Sequence, residues 1–127
     1  MLYIKDTSKT VDQAAADLEA SAKRHGFGLL HAYDFKQTLR DKGFDLANEC
    51  RVLEICNPAL ASEILATHMS LNMALPCRVS VYEEGGTTKI GMIPPTALLS
   101  MISDSAELRE AAEAVEQTVT AIIDESI

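Results

Sequence analysis

The strongest structural signal in the chain is CRVSVYEEGGTTKIGMI, residues 77–93. Its first half places apolar and polar side chains alternately, which is typical of a β-strand with two different faces. The alternating sets are Cys77, Val79, Val81 and Glu83 on one side, and Arg78, Ser80 and Tyr82 on the other. The Gly85-Gly86 pair then predicts a tight turn. The stretch is therefore a β-hairpin with strands at 77–83 and 88–93.

Apolar and β-branched residues predict three more strands, at 2–5, 27–33 and 48–56. In the last of these, alternation places Cys50, Val52, Glu54 and Cys56 on one face. Between the first two strands, Thr10-Val11-Asp12-Gln13 has the form of a capping box and predicts a helix that ends at Gly26. Three segments carry further helix signals: Asn57-Pro58 as a helix start, 96–102 as a short helix, and a cap at 104–107 that opens the last helix.

Strands and helices do not alternate strictly along the chain. This order predicts an α+β fold, with a mostly antiparallel sheet of four to five strands and helices packed on one face. The other face of the sheet is then open to a ligand, a second subunit or the connecting segments.

Size and composition predict one domain over residues 1–127. The net charge of −8 argues against nucleic-acid partners and anionic membrane surfaces, and only 5% of the residues are aromatic. No apolar run is long enough to span a bilayer, and the N-terminus does not have the pattern of a signal peptide. Three cysteines without dense spacing fit a reducing compartment, so we expect a cytoplasmic protein.

Cys56 and Cys77 are candidate reactive thiols. Cys56 comes one residue before the N-cap of a predicted helix, where the positive end of the helix dipole stabilises a thiolate. Cys77 would lie near it if the third and fourth strands are antiparallel neighbours. The alternative for each is a small buried residue at the end of a strand, the commonest fate of a free cysteine. The spacing has no metal signature of the Cys-x-x-Cys kind, and no metal site is predicted.

Four other residues are candidates for ligand binding. Glu54 shares its face with Val52 and Cys56, so it is either buried with a partner or lines a cavity. An edge strand, or a salt bridge to Arg78 across the sheet, is the alternative explanation of this carboxylate. His31 lies on a strand, where a core or surface role is the alternative. Asp34 follows that strand, where a loop could present it to a ligand or leave it in solvent. Asn57 follows Cys56 and is also a strong N-cap.

The segments Glu54-Ile55-Cys56-Asn57-Pro58 and 75–83, followed by a glycine turn and a proline, resemble the family called domain of unknown function 302. The resemblance covers nearly the whole chain. It implies a compact α+β fold of the TATA-binding-protein-like group, without a DNA function. It also implies a homodimer and, for some members, a link to sulfur-handling proteins. No reaction is established for the family as a whole.

Three functions are therefore open. The first is a non-enzymatic module that binds a small ligand or a partner on the open sheet face. The second is a sulfur-carrier or redox factor centred on Cys56, with Cys77 as the resolving thiol. The third and weakest is a soft-metal or haem site formed by Cys56, Cys77 and His68. The sequence contains no catalytic constellation, so the protein is less expected to be an enzyme, and an acid-base enzyme built on Glu54 is the remaining alternative. We predict no bound cofactor.

Overall fold

The structure is a computed structural model that describes all 127 residues, Met1–Ile127. Five strands form one sheet: β1 (Tyr3–Thr7), β2 (Gly28–Asp34), β3 (Cys50–Cys56), β4 (Cys77–Glu84) and β5 (Thr87–Met92). The helices are α1 (Val11–Arg24), α2 (Phe35–Asp41), α3 (Pro58–Thr67), α4 (Pro95–Ser100) and α5 (Ala106–Asp124), with a 3₁₀ helix at Met69–Ala74. The predicted α+β class is confirmed.

Every pair of neighbouring strands is antiparallel, in the order β1-β5-β4-β3-β2. The predicted hairpin is β4 and β5, with Val81 opposite Ile90. Its turn holds Gly85 and Gly86 at φ values of 60° and 79°. Two successive positive φ angles are what a two-residue hairpin turn requires, and glycine adopts them without steric cost.

The main core lies between one face of the sheet and the two long helices. The sheet contributes Leu53, Ile55, Val79, Val81 and Ile90, all at most 2% exposed. The helices contribute the apolar side of α1, including Leu18, and the end of α5, including Ile122. Val79 and Val81 are alternate residues of β4 and lie on one face, as the sequence predicted. Their cross-strand partners Leu53 and Ile90 lie on the same face.

Three of the shorter helices, α3, the 3₁₀ helix and α4, lie at one end of the sheet, because chain connectivity places them there. β3 runs directly into α3, the 3₁₀ helix leads into β4, and β5 is followed by Pro94 and α4. A second, smaller core forms between these segments and the start of α5, from Leu71, Leu99 and Leu108. None of the helices combines the length and the apolar character that crossing a bilayer requires.

Some boundaries differ from the sequence prediction. The third strand begins at Cys50 instead of residue 48, and the connector from Met69 is helical. The last helix is capped by Ser105, whose side chain accepts a hydrogen bond from the Leu108 amide, so the cap begins one residue later than expected. The short helix begins at Pro95, since proline is favoured in the first helical turn.

Candidate functional site

The open face of the sheet carries a row of three ionisable side chains from adjacent strands. His31 on β2 lies opposite Glu54 on β3, and Glu54 lies opposite Arg78 on β4. The row exists because a β-bulge between Leu29 and His31 shifts the register of β2 and brings His31, instead of Leu30, to the position facing Glu54. Glu54 is half-buried, whereas His31 and Arg78 are exposed.

Glu54 and Arg78 form no ion pair, although they face each other. All the ion pairs of the chain involve other residues. Glu54 instead interacts with Tyr33, whose pKa is raised by hydrogen bonding to the Glu54 carboxylate and then by its negative charge. The nearby Arg78 opposes that shift. The expected alternative of a Glu54–Arg78 salt bridge is therefore not formed.

A cavity of about 740 Å³ opens on this face and continues around the end of the sheet. Its floor includes Glu54, Arg78, Ser80, Tyr82 and Gly91. Its far walls come from the 3₁₀ helix, α4 and α5. Of its 24 lining residues 18 are hydrophobic, so the cavity can take a largely apolar molecule.

The polar groups of the cavity are confined to one wall. Arg78, Ser80 and Tyr82 are alternate residues of β4, so their side chains point to the same face of the sheet, and Glu54 is opposite Arg78. The opposite end of the cavity is formed by apolar groups, among them Leu71, Leu99 and Leu108. The site thus has a polar end on the sheet and an apolar end among the helices.

Cys56 and Cys77 lie close together, as the predicted antiparallel pairing of their strands requires. Cys77 is opposite Ile55, the residue before Cys56. The two cysteines line the same small cavity of about 30 Å³ beneath α3, and neither is in a disulfide. Burial, followed by the charge of Cys56, raises the pKa of the Cys77 thiol to about 11. Cys77 is therefore protonated at neutral pH and reacts poorly as a nucleophile.

Cys50 and His68 lie apart from the pair formed by Cys56 and Cys77, and no metal site is formed. Cys50 lies opposite Tyr82, at the other end of β3, and burial raises the pKa of its thiol, with the charge of Asp34 adding to the shift. His68 ends α3, where its Nδ1 lies 2.9 Å from the Thr67 hydroxyl. No three His, Cys, Asp or Glu side chains lie close enough together to hold a metal ion.

Three predicted ligand-binding residues have structural contacts outside the large cavity. Asn57 caps α3, with its Oδ1 accepting a hydrogen bond of 3.2 Å from the Leu60 amide. Asp34 caps α2 through the Gln37 amide and also lies 3.6 Å from the Arg51 guanidinium. His31 is exposed and contacts Tyr33 edge to face, with ring centroids 4.4 Å apart. Of the four candidates, only Glu54 lines the large cavity.

Comparison with known proteins identifies the family. The family model for the domain of unknown function DUF302 matches residues 3–126. The chain belongs to the DUF302 family. It is similar to the crystal structure of an uncharacterised conserved DUF302 protein from Bacillus stearothermophilus, with 36% sequence identity and a TM-score of 0.94. The match covers 99% of this chain and 98% of that chain. No curated protein matches this member of the family.

Sequence reasoning missed most of the cavity. Arg78 appeared only as a possible partner of Glu54, and Ser80 and Tyr82 only as members of an alternating strand. That alternation was the available signal, because it placed the three side chains on the open face with Glu54. Nothing in the sequence indicated the apolar walls, because Leu71, Leu99 and Leu108 come from segments that meet only in the folded chain.

Proposed function

We propose that this DUF302 protein is a non-enzymatic module that binds a small, largely apolar molecule on the open face of its sheet. One observation carries the proposal: a cavity of about 740 Å³ with a few polar side chains on one wall and apolar side chains elsewhere. Ligand sites in proteins are commonly of this size and have this division between apolar lining and a few convergent polar groups.

The free energy of binding would come from removing apolar surface from water. Burial of apolar surface contributes roughly 25 cal/mol per Å². The hydrophobic lining residues supply that surface on the protein side, and Glu54, Arg78, Ser80 and Tyr82 would orient the ligand. The proposal assigns no reaction to the site.

A neutral fluorophore that brightens in apolar surroundings, N-phenylnaphthylamine, tests the proposal. We expect saturable binding with one site per chain. Ala111 lines the cavity on α5, so Ala111→Phe fills part of it and should weaken binding by about tenfold, a loss of about 1.4 kcal/mol. The matched control is Ala114→Phe, on the same helix but exposed and outside the cavity lining. A failure of the dye to bind, or equal binding by the two variants, would contradict the proposal.

The same face could instead be covered by a second copy of the chain. This version is supported by the apolar rim of the cavity, where Leu2, Ile4 and Ile93 are 59%, 40% and 51% exposed. Sedimentation velocity distinguishes the two versions. If the wild-type protein is a dimer, Ile4→Arg makes it a monomer, and neither protein binds the dye, then the open face binds a second copy of the chain and not a small ligand.

A thiol function centred on Cys56 is the second candidate. It is supported by the position of Cys56 beside Cys77 at the start of α3. The raised pKa of Cys77 argues against this function, because a protonated resolving thiol reacts slowly at neutral pH. Measurement of the thiolate pKa of Cys56 by ultraviolet titration tests it, and a value at or above about 8.5 would reject it.

A further inference from the structure

The two charged groups of the cavity do not neutralise each other by direct contact. Glu54 and Arg78 are on neighbouring strands, directly opposite, and both line the cavity. Neither takes part in any of the ion pairs of the chain. Tyr33 on β2 is near enough to Glu54 for the carboxylate to raise the Tyr33 pKa, but Tyr33 supplies no positive charge. A positive and a negative group therefore lie side by side at the polar end of the cavity, and neither is in direct ion-pair contact with another charged side chain.

Any ligand that covers this end removes water from both groups. Taking a charge out of water is costly unless a hydrogen-bonded partner of opposite charge replaces the water. A carboxylate on the ligand would satisfy Arg78 through a two-pronged guanidinium contact, but it would also lie near the Glu54 carboxylate. An ammonium group alone would satisfy Glu54 and be repelled by Arg78.

We infer that the ligand of this cavity has a zwitterionic head and an apolar body, with a carboxylate bound by Arg78 and an ammonium group bound by Glu54. The inference rests on the proposed function and specifies the chemical class of its ligand. The apolar body extends away from the sheet toward Leu71, Leu99 and Leu108. The head has no net charge, so the overall charge of −8 on the chain does not repel it.

Four straight-chain ligands with eight carbon atoms each test the inference: α-aminooctanoate, octanoate, octylamine and octanol. Each is used to displace N-phenylnaphthylamine from the wild-type protein. We expect α-aminooctanoate to displace the dye at a concentration about tenfold lower than any of the other three, because only it provides partners for both charges. Equal displacement by octanol would overturn the inference, since it would mean that the head is not recognised.

Two substitutions test the two charged side chains separately, and each changes the order in which the four ligands bind. Glu54→Gln keeps the shape of the side chain and removes its charge, so octanoate should bind about as tightly as α-aminooctanoate. Arg78→Met should abolish the preference for α-aminooctanoate over octylamine. The matched control is Arg40→Met, an exposed arginine on α2 outside the cavity, which should leave the ligand order unchanged. An unchanged ligand order in Glu54→Gln and Arg78→Met would also overturn the inference.

The experiment separates the failure of the inference from the failure of the proposed function. If the dye does not bind, the cavity is not a ligand site, and the proposed function fails. If the dye binds and Ala111→Phe weakens it, but the four ligands compete equally, the cavity binds apolar molecules and only the zwitterionic head is wrong. The ligand series uses the wild-type protein, so its outcome does not depend on the folding of a variant.

Discussion

Gly91 on β5 lies directly opposite Ile4 on β1, and the two backbones approach closely. A Cβ atom at position 91 would lie 3.0 Å from the Ile4 Cγ1 and 3.1 Å from the carbonyl oxygen of Tyr3. The first of these atoms belongs to a side chain that can move, whereas the second belongs to the backbone. The absence of a side chain at Gly91 therefore lets the edge strand pair closely, and Gly91 and Ile4 together line the open-face cavity.

Gly91→Ala should lower the free energy of unfolding by about 1–3 kcal/mol, because the added methyl group pushes β1 away from β5. Urea denaturation measures the change. The matched control is Gly28→Ala, also in a strand but with no atom within 4 Å of the new Cβ and no positive φ. The control should stay within about 1 kcal/mol of the wild type. Equal destabilisation by the two substitutions would show that the approach of Gly91 to Ile4 is not the cause.

Arg78 and Arg51 should differ in their contribution to stability. Arg51 is half-buried and pairs with Asp12 and Asp34, so Arg51→Met should cost about 1 kcal/mol or more. Arg78 is exposed and has no ion pair, so Arg78→Met should change the free energy of unfolding by less than about 0.5 kcal/mol. Urea denaturation without added ligand compares them. A large loss in Arg78→Met would mean that Arg78 has a structural partner.

Cys77 should react slowly with thiol reagents. A pKa of about 11, against an ordinary value of 9.0, lowers the thiolate fraction at pH 8 by about a hundredfold, and burial adds a steric barrier. The double variant Cys50→Ser/Cys56→Ser leaves Cys77 as the only thiol, and its rate of alkylation by iodoacetamide can be measured. The same protein unfolded in urea is the control and should react at the rate of a free cysteine. Rapid native reaction would favour the thiol function.

Asn57 should matter for stability and not for dye binding. Asn57→Ala removes the acceptor for the Leu60 amide and should cost about 1 kcal/mol, whereas Asn57→Asp keeps an acceptor and should cost less. Thermal denaturation and N-phenylnaphthylamine titration are run on the same samples. A loss of dye binding in folded Asn57→Ala would instead assign Asn57 to the ligand site, as the sequence-based prediction had it.

The contact between Tyr33 and Glu54 can be measured by tyrosine titration. The Glu54 carboxylate favours the protonated form of Tyr33, so Glu54→Gln should lower the pKa of Tyr33 toward its ordinary value of 10.0. NMR of ring-labelled tyrosine resolves the separate groups. Tyr3 is the internal reference, since its hydrogen bond to Asp124 raises its pKa to about 12 in either protein. An unchanged Tyr33 pKa in Glu54→Gln would show that Glu54 does not act on Tyr33. The matched control is Glu84→Gln, an exposed carboxylate at the end of β4.

Local sequence patterns predicted most of the strands and helices and the two faces of the sheet. Alternation in residues 77–83 is a local property, because successive side chains of a strand point to opposite faces. It therefore predicted the hairpin, the buried row that contains Val79 and Val81, and the open face that contains Arg78. Asn57-Pro58 likewise predicted the start of α3, because capping depends on neighbouring residues alone.

The arrangement of side chains on the open face depends on tertiary contacts. The bulge that aligns His31 with Glu54 depends on pairing between β2 and β3, and the cavity depends on segments as distant as Leu2, Leu71 and Leu108 meeting at one end of the sheet. The sequence could place Cys77 near Cys56, but burial set the pKa of its thiol. Distances across strands and exclusion of water arise from contacts between remote residues, and local patterns carry no information about either.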